Sequence, residues 1–140
     1  MKPTILLVDD DDAFKMLIER AIQKSGLNVS LQYVGDGEEA ILYLSHQGQF
    51  SDETAFPFPS LVLLDLKMPR MNGFEVLQWK LEQPQLNGTP FIVLSSSDFE
   101  KDKQRVSGLG ARGFLTKPMG LLGLTELVES LDEFLANDAS

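Results

Sequence analysis

The chain has 140 residues, 43% of them hydrophobic, enough for one domain with a packed core and too few for two of ordinary size. Its 21 acids against 12 Lys and Arg give a net charge of -9 and a pI near 4.5, which argues against a domain that holds nucleic acid through its own surface field. The absence of cysteine excludes disulfides and thiolate centres, and no apolar run approaches the roughly 18 residues that cross a bilayer, so the chain reads as cytoplasmic with no membrane contact.

In chain order, Ile5 to Val8 is apolar throughout, as a strand covered on both faces must be, and it ends in four acids, Asp9 to Asp12. Phe14, Leu17, Ile18, Ala21 and Ile22 then recur at helical spacing, with Asp11 or Asp12 available as N-cap and Gly26 as terminator. Val29 to Val34 is the next strand and leaves through Gly35-Asp36-Gly37. A second helix is expected from about Glu38, with Ala40, Ile41 and Leu44 inward, giving out between His46 and Gly48. His46, at the far end of that helix, reads as solvated. Residues 49 to 59 are rich in Ser, Pro and acids and read as a loop.

Leu61 to Leu64 is the third strand, and it delivers a carboxylate, Asp65, followed by the turn signals Pro69 and Asn72-Gly73. A helix over Phe74 to Leu81 follows, with Phe74, Leu77 and Leu81 as its apolar positions. Pro84, Asn87-Gly88 and Pro90 then break the chain before a fourth strand, Phe91 to Leu94, and the hydroxyl cluster Ser95-Ser96-Ser97. The fourth helix, about Phe99 to Leu109, is polar, with Phe99, Val106 and Leu109 as anchors. Arg112 to Thr116 is the fifth strand, ended by Lys117-Pro118, and Leu121 to Leu135 is an amphipathic helix through Leu124, Leu127, Val128, Leu131, Phe134 and Leu135.

This alternation predicts an α/β fold, a doubly wound sheet of five parallel strands whose crossovers are the helices. All strand carboxyl ends then open on one edge, where Asp9, Asp10, Asp65, Ser95 and Lys117 converge. Clustered carboxylates repel, so such a cluster either raises a pKa or takes a hard cation, and Mg2+ suits oxygen ligands of this kind. Lys117 is a point charge able to pair with a carboxylate in one state and a phosphoryl oxygen in another, and Ser95 is able to donate a hydrogen bond to that oxygen. Together these roles describe phosphoryl transfer onto Asp65.

The run Ile5-Leu6-Leu7-Val8-Asp9-Asp10 is followed by Leu63-Leu64-Asp65-Leu66-Lys67-Met68-Pro69 with Met71-Asn72-Gly73, then Pro90-Phe91-Ile92-Val93-Leu94-Ser95, then Gly113-Phe114-Leu115-Thr116-Lys117-Pro118 after Gly110-Ala111. In this order, with 30 residues from Asp65 to Ser95 and 22 from Ser95 to Lys117, the chain resembles the response-regulator receiver domains of bacterial two-component signalling over residues 3 to 137. It is most similar to the stand-alone regulators of the phytochrome-associated type.

The resemblance implies a flavodoxin-like sheet of order 2-1-3-4-5 with five helices. It implies that Asp65 takes a phosphoryl group from a phosphohistidine, on a sensor histidine kinase (a phytochrome-like one among the candidates) or on a phosphotransfer protein. Asp9, Asp10, Asp65 and the main-chain carbonyl of Lys67 would hold Mg2+, and Lys117 would be the family's invariant lysine, with the bond before Pro118 often cis. Ser95 would be the switch hydroxyl and Phe114 the switch aromatic, acting through packing because it lacks a tyrosine hydroxyl. Lys67 and Ser97 occupy the positions that tune dephosphorylation, and neither is an acid or amide suited to steering water, so a phosphorylated state lasting longer than seconds is expected.

The last helix ends about where the chain does, so a single receiver domain over 1–140 with no output domain is expected, signalling by protein contact rather than turning over a substrate. A homodimer through helix four, strand five and helix five is expected on the resemblance. Leu121, Leu122 and Leu124 add some support, since they are more apolar groups than one core stripe needs. Two alternatives are a receiver-like binding module without phosphorylation and an aspartate-dependent phosphatase of the haloacid-dehalogenase type. The latter expects an acid two residues beyond its nucleophile, where Lys67 stands.

Overall fold

Five strands, β1 (Thr4–Val8), β2 (Ser30–Val34), β3 (Leu61–Asp65), β4 (Phe91–Ser95) and β5 (Gly113–Thr116), pair in parallel in the order β2-β1-β3-β4-β5. The structure is a computed structural model and describes residues 2–96, 100–118 and 120–139. The crossovers run through α1 (Asp12–Ser25), α2 (Gly37–Leu44), α3 (Gly73–Lys80) and α4 (Glu100–Gly108), and α5 (Leu121–Ala139) follows β5. The chain leaves β1 for one edge of the sheet and returns across it to β3, so the strand order reverses between β1 and β3. At such a reversal the helices diverge and leave a crevice at the strand carboxyl ends.

Every residue of β1, β3 and β4 is buried, which is why these strands read as unbroken apolar runs. Their side chains alternate between two layers. Leu6, Val8, Val62, Leu64, Phe91 and Val93 pack with Ala40, Tyr43, Leu44, Val76, Leu77 and Val106, from α2, α3 and α4. Ile5, Leu7, Leu61, Leu63, Ile92 and Leu94 pack with Phe14, Ile18 and Ile22 of α1 and with Leu124, Leu127, Val128 and Leu131 of α5. At about 1.5–3 kcal/mol for each fully buried large aliphatic side chain, these two layers are the main stabilising term.

Local chemistry sets the helix ends. Asp11, not Asp12, caps α1, accepting from the N–H groups of Ala13 at 3.0 Å and Phe14 at 3.2 Å, and Gly26 closes the helix at φ 78°. Asp12 instead accepts a hydrogen bond from the Tyr33 hydroxyl at 3.0 Å. A capping box of Asn72 and Glu75 starts α3.

Several expectations are corrected. Helix α2 begins at Gly37, capped by Asp36, and Tyr43 rather than Ile41 turns inward. The Tyr43 hydroxyl donates to the Pro57 carbonyl at 2.7 Å and its ring meets Phe50 and Phe56, so the loop expected over 49–59, which holds no helix or strand beyond a 3-10 turn at Gly48–Phe50, carries an aromatic cluster as well. His46 belongs to this cluster and is half-buried rather than fully solvated: one ring nitrogen lies 3.1 Å from the Phe56 carbonyl and the other 3.3 Å from Glu53. In α3 the buried apolar residues are Val76 and Leu77, while Leu81, beyond the helix end at Lys80, is 55% exposed. Leu17 of α1 is also exposed. Strand β2 starts at Ser30 and β5 at Gly113, one residue later than expected in each case. Phe99 lies outside the described residues. No cis peptide occurs among the described residues, so the bond before Pro118 is trans.

Gly73 shows how tightly the chain after β3 is held. A Cβ there would stand 2.5 Å from the Asp65 carbonyl oxygen and 2.9 Å from the Leu66 Cα, both backbone atoms that cannot swing aside. Gly73→Ala is expected to lose about 1–3 kcal/mol of stability in urea denaturation. Gly88→Ala, with nothing within 4 Å of the added carbon, is expected to be near neutral by the same measurement.

Candidate functional site

Three strand ends and one following lysine build a charged crevice at the reversal point. Asp9 follows β1; its N–H donates to the Val34 carbonyl at 3.1 Å, and its Oδ1 accepts from the Asp11 N–H at 3.0 Å, which together hold the carboxylate inward with no exposure. Asp65 is the last residue of β3 and is 7% exposed. Asp10 is exposed at the rim. One oxygen from each of Asp9, Asp10 and Asp65 lies within 4.8 Å of the others.

Lys117 closes the crevice from the end of β5. Its N–H donates to the Ser95 carbonyl at 2.7 Å, which ties it to the end of β4, and its Nζ reaches 2.8 Å from Asp9 Oδ2 and 3.8 Å from Asp65 Oδ2. The contact with Asp9 is a buried ion pair. Oδ2 therefore has a charge beside it but is buried without a hydrogen-bond partner, alone in this among the described residues. The ammonium also stands 4.9 Å above the Phe14 ring.

Burial dominates the electrostatics. It pushes the Asp65 carboxyl up to about 6, with the Asp9 charge adding to the rise and Lys117 offsetting part of it. Burial also raises Asp9, against the opposing effect of Lys117. For Lys117 burial acts downward, but its pairing with Asp9 and the charge of Asp65 outweigh it and hold the ammonium above its ordinary range. The site thus concentrates carboxylate charge that a single lysine does not fully compensate. Its donors are all oxygens, and one buried oxygen lacks a hydrogen bond, so the residues fit a hard divalent cation.

The other expected residues distribute around this centre. Ser95 is buried at the end of β4. The Lys67 side chain is exposed, while its main-chain N–H offsets part of the rise in the Asp65 pKa. Phe114 on β5 is half-buried against the layer that holds α2, α3 and α4, with the Lys103 ammonium of α4 5.8 Å above its ring. Ser97 lies outside the described residues. An open cleft of about 420 Å³, lined by Asp11, Phe14, Leu17, Ser96, Lys117 and Pro118, adjoins the acids. Asp36, expected only as part of the exit from β2, and Arg70, not singled out in the sequence, form an ion pair. Asp36 was readable as a helix cap, but nothing in the sequence marks Arg70.

The sequence matches the response regulator receiver domain family over residues 5–129. It is 34% identical to the probable methanogenesis regulatory protein FilR2 of Methanothrix harundinacea, across 93% of this chain and 81% of that one. It is 33% identical to the response regulator Rcp1 of Synechocystis sp., across 93% of this chain and 86% of that one. Among solved structures, the Mn2+-bound form of Rcp1 superposes with a TM-score of 0.82 at 32% identity, over 94% of this chain and 93% of that one. The phosphorylated cyanobacterial phytochrome response regulator RcpA superposes with a TM-score of 0.88 at 33% identity, over 100% and 98%.

Proposed function

This chain belongs to the response regulator receiver domain family, and we propose on that basis that it accepts a phosphoryl group on Asp65 and signals through protein contact. The observation that carries this reading is the convergence of Asp9, Asp10 and Asp65 within 4.8 Å, with the Lys117 ammonium beside two of them. An oxygen of the Asp65 carboxylate attacks phosphorus in line, the new P–O bond forms, and the P–N bond to a donor imidazole breaks with its electron pair leaving on nitrogen. Lys117, which pairs with the acids before transfer, turns its charge to the phosphoryl oxygens. Ser95 is the switch hydroxyl that donates to one of those oxygens, and Phe114 is the ring that responds by repacking.

Asp9, Asp10, Asp65 and the Lys67 main-chain carbonyl are the groups that would hold Mg2+. The bound ion would offset repulsion among the carboxylates and charge on the transferring group. The donor is a histidine kinase or phosphotransfer protein, approaching through the cleft beside Lys117. A phytochrome-like kinase fits the likeness to RcpA. Among the described residues no helix is long and apolar enough to cross a membrane.

Incubation with acetyl phosphate and Mg2+ is expected to label Asp65, and Asp65→Ala to abolish the label; labelling that persists in the variant, or none in the wild type with either acetyl phosphate or a phosphorylated kinase, contradicts the assignment. With Lys67 and Ser97 at the tuning positions, the phosphorylated form is expected to outlast seconds at neutral pH. A half-life of only a few seconds would show that other groups steer water. The surface of α4, β5 and α5, where Leu122 is 76% exposed, is proposed as the self-association face, to be checked by sedimentation of the free and beryllofluoride-treated protein.

A further inference from the structure

Asp36 is a buried acid that the phosphoryl-transfer chemistry does not use. It lies at the start of α2, 2% exposed, and its two oxygens have different tasks. Oδ1 accepts the Glu39 N–H at 2.9 Å and caps the helix. Oδ2 accepts a hydrogen bond from the Arg70 guanidinium. Arg70 sits in the loop between β3 and α3, five positions beyond Asp65, and its backbone is at φ 65°, a left-handed conformation unfavourable for a residue with a Cβ. A long, mostly exposed side chain on a strained backbone persists where its surroundings over-determine it.

The same loop is stitched at further points. The Gly37 N–H donates to the Met71 carbonyl at 3.1 Å, so close that a Cβ on Gly37 would stand 2.5 Å from that oxygen. The Met71 N–H donates to Pro69 at 2.8 Å and the Gly73 N–H to Leu66 at 3.0 Å. Lys67, two positions beyond Asp65, lies inside this stitched segment.

We infer that Asp36 and Arg70 are positioning residues that clamp the β3–α3 loop to the start of α2 and thereby hold the Lys67 main chain at the cation site beside Asp65. The inference rests on the metal reading proposed above. An ion pair of this kind usually contributes little when exposed, but the carboxylate of this pair is buried and the guanidinium reaches it from a loop that has no secondary structure of its own.

The test uses the full chain with Mn2+ as probe, free ion being followed by electron paramagnetic resonance, and metal-free stability measured in urea. Asp36→Asn keeps a capping oxygen and removes the charge that pairs with Arg70. Arg70→Gly removes the guanidinium and relieves the left-handed backbone. Arg70→Lys restores a cation. Both Asp36→Asn and Arg70→Gly are expected to weaken Mn2+ binding by on the order of ten-fold, as loss of an outer-sphere partner does, while Arg70→Lys stays closer to wild type. Arg70→Gly is the decisive variant, because deleting a nearby positive charge would by electrostatics alone tighten cation binding; its metal-free stability is expected to fall no further than that of Asp36→Asn, since relief of the left-handed backbone offsets part of the lost pairing with the buried Asp36. Wild-type affinity in Arg70→Gly overturns the clamp, as does a loss of affinity that merely tracks a loss of stability. A wild-type protein that binds no Mn2+ overturns the metal reading itself and the clamp with it.

Discussion

In metal-free buffer at pH 7, Asp65→Asn is expected to be more stable than the wild type, by up to about 3 kcal/mol, although it is expected to accept no phosphoryl group. The carboxylate is almost wholly buried beside Asp9, and its pKa is pushed from 3.8 to about 6. A folded-state pKa above the unfolded one means that the native protein binds this proton more tightly. The contribution of Asp65 to stability is therefore most favourable at low pH, declines as pH rises from about 4 through about 6, and levels off above that. Asparagine has nearly the same shape and no charge to desolvate, so the variant lacks this decline. The two unfolding curves should lie close together near pH 4 and separate by pH 7. Adding Mg2+ is expected to stabilise the wild type by mass action and the variant much less. A wild type that is the more stable of the two in chelator at pH 7 would show that the Lys117 pairing outweighs burial.

Lys117→Met is expected to be the most destabilising change in the site, by about 3–5 kcal/mol without metal, because removing one partner leaves buried charge uncompensated. Asp9 has no exposure, and the Lys117 ammonium lies 2.8 Å from its Oδ2, which has no hydrogen-bond partner among the described residues. The folded-state pKa of Lys117 is raised, so its stabilising contribution is present in full at neutral pH and lost only as pH rises past the ordinary lysine value of 10.5. In the variant the acids are expected to take up protons more readily, so part of the lost stability should return on acidification to pH 5. Mg2+ is expected to stabilise this variant more than the wild type, since the ion would supply the missing positive charge. Urea denaturation at the two pH values, with and without Mg2+, checks all three outcomes. A loss of under about 1 kcal/mol would place the lysine among ordinary surface pairs.

The elements that could be read in advance are those with an unambiguous local pattern. Leu61 to Leu64 is apolar at every position, terminates in Asp65 and is followed at once by turn residues, a pattern that fits a central strand of a parallel sheet, so both the strand and its acid were legible. The same holds for Ile5 to Val8 with Asp9 and for Phe91 to Leu94 with Ser95. The failures fall where burial depends on a distant partner. Tyr43 is a core residue although it carries a hydroxyl, because that hydroxyl finds the Pro57 carbonyl, 14 positions away. His46 and Phe56 meet across residues 46–56, a segment whose composition resembles a plain loop. Leu81 has the right helical phase but falls beyond the end of α3 at Lys80, and so it faces solvent.

The site divides in the same way. The order and spacing of Asp9, Asp10, Asp65, Ser95 and Lys117 follow from the sequence alone, because strand ends in a parallel sheet share an edge and residue type limits what each group can do there. That Asp9 is sealed while Asp10 is at the rim, and that one Asp9 oxygen has a charge but no hydrogen bond, is decided by tertiary packing. So is the pairing of Asp36 with Arg70, which are 34 positions apart and belong to different crossovers. Periodicity and turn chemistry act over a few residues and are written in the chain, whereas desolvation and ion pairing depend on which segments meet and are settled only when the sheet closes them together.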